Sequence, residues 1–417
     1  LQKRGAVVGS SLNTAYLLER LSQTLERLET LMAIFVSNRY LPRRILLLTG
    51  CFARAAAERH SISRLWKQSS GLMARSVTQN AGDHGEHYIT RDKKEYWAMF
   101  YSAAGGGVLI ALMALFKIYL GSIIDDKVWK GIAEGLNYGL GFMVIFMLHF
   151  TVATKQPAMT AARFAEAVEK TPQGKSVNMK LAQLLVDVFR SQSIAVLGNV
   201  LIAMGLAALI AFGYQYKTGE PLMNADQIAY QLHSIDPLAG TLWFAAIAGV
   251  WLFCSGIISG YFDNRSNYLN MRMRLTQHPL LKKLMSEKTR VKFANYMHEN
   301  YGSLIGNLCF GMLLGITGVV GYLTHLPLDI RHVAFSSANV GYIAVSGQFT
   351  YSLLLQCIGF VLLIGLVNLI VSFSLTLWVA LRSLNTEIDS WWPIWHEVCQ
   401  IVKKRPLSLF LPVQLDK

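Results

Sequence analysis

Six apolar segments, each about as long as a lipid bilayer is thick, restrict what this chain can fold into. They run over residues 96–123, 132–153, 194–214, 237–261, 304–323 and 351–381. An α-helix needs about 20 apolar residues to cross a hydrocarbon core of about 30 Å. The chain is 53% hydrophobic and 15% charged, whereas a soluble domain carries about 25% charged residues. We therefore predict an all-α, polytopic membrane protein with six transmembrane helices.

The basic residues alternate with these segments and indicate an orientation. Of 39 Lys and Arg, 15 precede the first segment, 6 lie in 154–193, 8 lie in 262–303 and 5 follow residue 381. The alternate connections carry only Lys127, Lys130, Lys217 and Arg331. The positive-inside rule places the basic side, and both termini, in the cytoplasm. A nucleic-acid-binding patch would not need to alternate with membrane crossings, so the net charge of +14 does not make nucleic acid an expected partner.

The first, third and fifth segments align without gaps over 106–122, 198–214 and 306–322. Seven of 17 positions agree between the first two stretches and six between the last two. This repeat predicts three tandem two-helix hairpins around a pseudo-threefold axis along the membrane normal. Glycines recur at both ends of the repeat, at Gly106, Gly198, Gly306, Gly121, Gly213 and Gly321. We interpret them as sites of close helix packing; the alternative is that they line a central cavity.

These patterns divide the chain into seven parts. They are a basic cytoplasmic helical domain (1–95), a first hairpin (96–153), an amphipathic cytoplasmic linker (154–193), a second hairpin (194–261), a basic helical linker (262–303), a third hairpin with a 27-residue outer loop (304–381) and a cytoplasmic interfacial tail (382–417). The linkers are expected to dock on anionic membrane lipids. Because the chain begins at Leu1 rather than at Met, we expect further residues before it.

Leucines at helical spacing in residues 12–38 predict an amphipathic helix that packs against a protein partner. They are Leu17, Leu18, Leu21, Leu25, Leu28 and Leu31. The pattern does not predict an oligomeric state.

Polar residues at the cytoplasmic ends of the returning segments are candidate binding residues. They are His149 and Lys155, then Asp263, Asn264 and Arg265, then Arg382 and Asn385. Around an axis they would form an inner mouth for an anionic ligand or a lipid head group. The alternative is interfacial anchoring by side chains that extend to the membrane surface. Within the segments, Lys117 and Glu134 could pair near the outer boundary, and Asn307 and Asn368 are expected to form interhelical hydrogen bonds.

The last outer loop contains the sequence LPLDIRHVAFSSANVGY, with Asp329, Arg331, His332 and Ser336 as candidate residues. It is long but weakly charged, so we expect it to fold back onto or into the membrane face as a lid. His332 and Ser336 are one helical turn apart. However, the pair lacks an acid that orients the histidine and lacks a nucleophile elbow, so catalysis is not predicted.

A possible metal site precedes the first segment, where His84, Glu86 and His87 form an HxxH pattern with carboxylates. Such residues can bind a divalent cation. Capping of the following helix is the favoured interpretation, so no metal site is predicted. The sequence has no Walker, Rossmann or HExxH motif and no close cysteine pair, and no cofactor is expected.

Four separated stretches, GEHYITRDKKEYW, TKQPAMTAA, GYFDNRSNY and LPLDIRHVAFSSAN, resemble a family of bacterial membrane proteins named site-specific recombinases, the SpecificRecomb type. The resemblance runs from about residue 5 to the end and implies a Gram-negative inner-membrane protein with a longer N-terminus. Tyrosine recombinases need a tyrosine nucleophile, two arginines and an HxxR-type element, whereas His60 and Arg64 have the wrong spacing. No serine-recombinase domain precedes the first segment, so recombinase catalysis is not expected.

Three functions remain as hypotheses. The first is a non-enzymatic membrane protein that binds or moves a small anionic or lipidic ligand, which predicts a continuous cavity lined by all three hairpins. The second is a scaffold that recruits partners through cytoplasmic helices, which predicts a packed centre and an exposed apolar stripe on 12–38. The third is a membrane-tethered protein of DNA transactions.

Overall fold

Helices are the only regular secondary structure in the part of the chain that the computed structural model describes. That part is 12–36, 41–58, 89–90, 92–152, 160–161, 164–165, 167–168, 175–346, 349–383 and 390–411. The α-helices are α1 Leu12–Val36, α2 Leu41–Glu58, α3 Lys93–Ile123, α4 Lys127–Met147, α5 Lys175–Thr218, α6 Ala225–Ile235, α7 Thr241–Tyr268, α8 Met271–Gln277, α9 Pro279–Leu284, α10 Glu287–Thr324, α11 Val333–Ala344, α12 Tyr351–Ser383 and α13 Trp392–Lys404. The described residues also contain two 3-10 helices, Pro237–Ala239 and Pro406–Leu409.

Five helices among the described residues are long and apolar enough to cross a membrane, namely α3, α5, α7, α10 and α12. They correspond to five of the six predicted segments. The remaining segment forms α4, which has 21 residues. Lys130, Glu134 and Asn137 interrupt its apolar stretch, and each such residue lowers the tendency of a helix to enter lipid. The six-span count is therefore not confirmed.

Two membrane helices continue far into the predicted cytoplasmic linkers. α5 has 44 residues and begins at Lys175, and α10 has 38 residues and begins at Glu287. The sequence predicts an amphipathic linker over 154–193 and a basic helical linker over 262–303. Neither extension contains proline or glycine before residues 198 and 302 respectively. Because each residue added to an existing helix gains a backbone hydrogen bond without a new nucleation step, a continuous helix is the favoured result.

The contacts between helices differ from those expected for three equivalent hairpins. α3 packs against α4 and α5, α10 packs between α4 and α7, and α12 contacts α7 and α11. The three helices of the sequence repeat, α3, α5 and α10, thus have different neighbours. The tandem-hairpin arrangement and its pseudo-threefold axis are not confirmed. The repeat reflects the same need for small residues at helix contacts, which does not by itself dictate the same partners.

The last outer loop turns inward, and its helix α11 fills the space between the membrane helices. Ten of the 12 residues of α11 are buried. The Phe335 ring lies 4.4 Å from the Tyr138 ring of α4, measured between centroids. The Tyr342 hydroxyl donates a hydrogen bond of 2.8 Å to the Ala111 carbonyl of α3. One apolar core cluster joins α11 to residues of α3, α4, α5, α7 and α10, so the centre of the described bundle is packed.

Glycines allow the closest helix approaches. A Cβ at Gly311 of α10 would overlap the backbone at Gly139 of α4, and one at Gly315 would overlap Gly135. The repeat glycines Gly106, Gly198 and Gly306 also face the backbone of a neighbouring segment, which confirms the close-packing interpretation for those three, whereas Gly213 faces open space.

We expect Gly311→Ala to destabilise the protein, because the added methyl would collide with the α4 backbone. Overpacking of this kind costs about 1–3 kcal/mol. The matched control is Gly359→Ala in α12, where a Cβ meets no atom within 4 Å and helix propensity alone favours alanine by up to about 1 kcal/mol. Thermal unfolding in detergent should show a lower Tm for the first variant only. Equal Tm values for the two variants would contradict the close α4–α10 packing.

Candidate functional site

Arg331 connects the last outer loop to the second one. Its Nε donates to the Ser234 carbonyl at 2.7 Å, and its Nη1 lies 2.6 Å from Oδ2 of Asp329. Its backbone N–H donates to the Phe244 carbonyl at 3.2 Å, and its guanidinium lies 5.4 Å from the Phe244 ring centroid. Two of the candidate lid residues, Asp329 and Arg331, therefore form one structural unit that anchors the segment before α11.

His332 and Ser336 are core residues. His332 is 1% exposed and packs against the rings of Phe142, Phe310 and Phe335 at centroid distances of 5.8–6.2 Å. The backbone N–H of Ser336 donates to the His332 carbonyl in the first turn of α11, and Ser336 is 5% exposed. The pair therefore lies in the packed core of the described bundle.

Asn368 on α12 fastens the first turn of α11. Its side-chain Nδ2 donates to the carbonyls of Ala245 at 2.7 Å and Arg331 at 3.0 Å. Its Oδ1 accepts from the Val333 N–H at 3.2 Å. The residue is fully buried, and this one carboxamide joins α7, α11 and α12. Its predicted interhelical hydrogen bonding is confirmed. The side chain of Asn307, by contrast, donates to Ser303 of its own helix.

Lys117 and Glu134 form the ion pair that the sequence allowed. Lys117 Nζ on α3 lies 3.3 Å from Glu134 Oε2 on α4, and the lysine side chain is 37% exposed. The same ammonium lies 5.7 Å from the Tyr138 ring centroid, and Tyr138 in turn contacts Phe335 of α11. A charged pair at the α3–α4 contact is thus linked through one buried aromatic ring to the central helix.

Three of the proposed inner-mouth side chains contact a neighbouring group. Asp263 Oδ1 accepts from the Gly302 N–H of α10 at 2.9 Å. Exposed Arg265 lies 3.3 Å from the Tyr261 hydroxyl, and the Arg382 guanidinium lies 5.1 Å from the Trp378 ring centroid. The other two described candidates differ from each other in exposure. Asn264 is buried, and His149 is exposed with a positive φ. Lys155 and Asn385 lie outside the described residues, so binding at an inner mouth stays a prediction.

The sequence analysis missed a buried arginine, Arg190, in the first half of α5. Its Nη2 donates to the Thr90 carbonyl at 2.7 Å and lies 3.0 Å from Asp187 Oδ1. Its Nη1 lies 3.5 Å from the Ser408 carbonyl. The contacts join the segment before α3 to the C-terminal 3-10 helix across α5. The signal was present as an Asp–Arg pair three residues apart, but it is also typical of an exposed helix face.

Metal-ligating residues do not converge in the ranges that the structure covers. No group of three His, Cys, Asp or Glu side chains there could hold a metal ion. The HxxH candidates His84, Glu86 and His87 lie outside the described residues, as do His60 and Arg64.

Helix α1 presents an exposed apolar face. Six of its apolar side chains are 40–56% exposed: Leu17, Leu21, Leu25, Leu28, Leu31 and Met32. α2 contacts α1 without covering these side chains.

A protein-family model described as "Site-specific recombinase" matches residues 1–412. The chain belongs to this family. No curated protein and no solved structure matches it. The family membership confirms the resemblance carried by the four sequence motifs. Of these, the stretch that contains Asp329, Arg331 and His332 forms the anchor of α11, so a family motif here coincides with the connection that holds the central helix.

We expect Asn368→Ala to destabilise the helix bundle of this protein by about 1–3 kcal/mol, because the substitution leaves buried backbone groups of α7 and α11 without their side-chain partner. Tm in detergent and protease cleavage of the 325–332 loop would measure the effect, and both should show loosening of α11. Asn300→Ala is the control, since its carboxamide donates only to Tyr296 of its own helix among the described contacts. A similar change for both variants would show that Asn368 does not hold α11.

Proposed function

We propose that the protein is a non-enzymatic scaffold of the bacterial inner membrane whose cytoplasmic helices hold protein components at the membrane. The packed centre of the bundle is the observation that carries this proposal. A protein that moves a ligand along its axis needs space there, whereas α11 places Phe335, Tyr342 and other apolar side chains in that position. The exposed leucine face of α1 supplies the second feature expected of a scaffold.

The proposed topology has six spans with both termini in the cytoplasm. In this arrangement α4 is the sixth span, and its polar residues are accommodated by neighbours. Glu134 pairs with Lys117, and the Asn137 carboxamide donates to the Met113 carbonyl at 2.9 Å. Polar groups inside a membrane domain are tolerated when they face protein partners in this way. The excess of Lys and Arg in alternate connections supports the orientation.

Binding of an anionic lipid head group at the cytoplasmic ends of α7 and α12 is the second candidate function. Exposed Arg265 beside Tyr261 and half-buried Arg382 beside Trp378 support it, because arginine and aromatic side chains together are typical of the membrane–water interface. This arrangement fits a lipid bound at the rim of the bundle and needs no central cavity.

Recombinase catalysis is not part of the proposal. The basic segments before α3 would give DNA binding that rests on phosphate contacts, which weakens steeply as salt rises. Retention of duplex DNA by the purified protein above about 200 mM salt would contradict this view and favour the DNA-transaction hypothesis.

Cysteine labelling tests the sixth span. In a chain with its five cysteines replaced, Asp125→Cys should react with a membrane-impermeant maleimide from outside the inner membrane. His149→Cys should react only after permeabilisation, because α4 separates the two positions. Both residues are exposed, so side-chain access is matched. Labelling of both positions from the same side would exclude a crossing by α4 and overturn the proposed topology.

Native mass spectrometry of the protein released from its own membrane tests the function. We expect a protein component at stoichiometric level that is lost in the variant L21Q/L28Q and kept in L46Q, which removes a leucine of α2 that is more exposed than either. A chain without any protein component would overturn the scaffold. A bound lipid that is lost when Arg265 and Arg382 become alanine would support the second candidate.

A further inference from the structure

The apolar residues of α1 are spaced as in helices that form a bundle. Leu18, Leu21, Leu25, Leu28 and Met32 are separated by alternate steps of three and four residues, which is the a/d heptad pattern. Leu17 and Leu31 stand at the g positions and widen the face. An a/d seam alone suits a two-stranded coiled coil, whereas a face of three heptad positions suits a helix at the core of a bundle.

Charged residues flank this face with opposite signs. With about 100° between successive residues of a helix, Glu26 and Glu29 lie along one edge of the apolar face. Arg20 and Arg27 lie along the other edge. All four are exposed. Parallel copies of such a helix, related by rotation about a common axis, place the acidic edge of one copy beside the basic edge of the next. Antiparallel copies would place like charges together at each contact, which is unfavourable.

The membrane restricts how copies of the chain can be related. Every copy inserted in one orientation has its α1 helix on the same side of the bilayer, and a symmetric assembly of such copies has its rotation axis along the membrane normal. Helices that run along this axis are parallel in every copy, whereas helices that lie in the membrane plane can be antiparallel. The edge charges select the parallel arrangement.

The charge of α1 also argues against a lipid surface as the occupant. The helix contains two arginines and three glutamates. Amphipathic helices that lie on anionic membranes are rich in Lys and Arg on their polar face. A nearly neutral helix with a divided charge pattern gains little from such a surface, but it complements its own copies.

We infer that the α1 face is a self-association surface, and that the protein forms a cyclic homo-oligomer in which α1 helices from several copies build a parallel cytoplasmic bundle. This inference rests on the proposed scaffold function and names its partner as a second copy of the chain.

Charge reversal in the full-length chain tests the inference, with particle mass measured in lipid nanodiscs or detergent. The wild type should have an integral multiple of the chain mass. E26R/E29R makes the acidic edge basic, and R20E/R27E makes the basic edge acidic. Each variant places like charges beside each other at every interface in the ring and should weaken association about tenfold. The four substitutions together exchange the two edges and should restore the oligomer.

Folding and partner choice are controlled in the same experiment. All four positions are exposed, so the variants should keep the Tm of the membrane bundle. A monomeric wild type would overturn self-association, and so would an oligomer that the charge variants leave unchanged. If a monomer retains a different protein through Leu21 and Leu28, the inference fails and the scaffold function stands. If a monomer retains none, both fail.

Discussion

Burial of a short helix within a membrane domain is the constraint on which the rest of this structure depends. α11 has only 12 residues, and each end of a helix leaves backbone groups without intrahelical partners. Water is not present in a bilayer core to satisfy them. The protein meets this need at the first turn with the Asn368 carboxamide, while Arg331 connects the preceding backbone to the second outer loop.

The packing of the surrounding helices depends on α11. Its side chains occupy the centre, so the helices around it cannot meet there and instead pack with their neighbours along the periphery. Gly341 of α11 faces the Met204 carbonyl of α5 so closely that no Cβ would fit, and a Cβ at Gly365 of α12 would press on Val333. Small residues on both sides thus bring α11 within packing distance of α5 and α12. Dispersion contacts at such short range supply much of the stability that membrane helices gain from association.

The sequence predicted the elements better than their arrangement, for physical reasons. Bilayer thickness sets the length of a spanning helix, so five spans could be found from apolar length alone. The sixth predicted span is not confirmed. It contains Glu134 and Asn137, and their partners on α3 are not visible in a local window of sequence. The inward fold of the outer loop could be expected from its low charge. How deeply the loop enters the bundle could not be predicted, since this depends on the aromatic contacts of His332 and Phe335 with α4 and α10. Arg190 was missed for the same reason: a buried guanidinium is recognised by the distant carbonyls it binds.

The last loop and α1 differ in the contacts that their charged residues make. In the last loop, Arg331 is held by Asp329 and by the Ser234 carbonyl. In α1 the arginines and glutamates are exposed on either side of an apolar face, and apolar surface of this kind is costly to leave in water. His332 and Ser336, by contrast, are buried in the core. In the proposed oligomer, insertion in one orientation keeps the α1 helices of all copies on one side of the bilayer, and their edge charges favour the parallel arrangement.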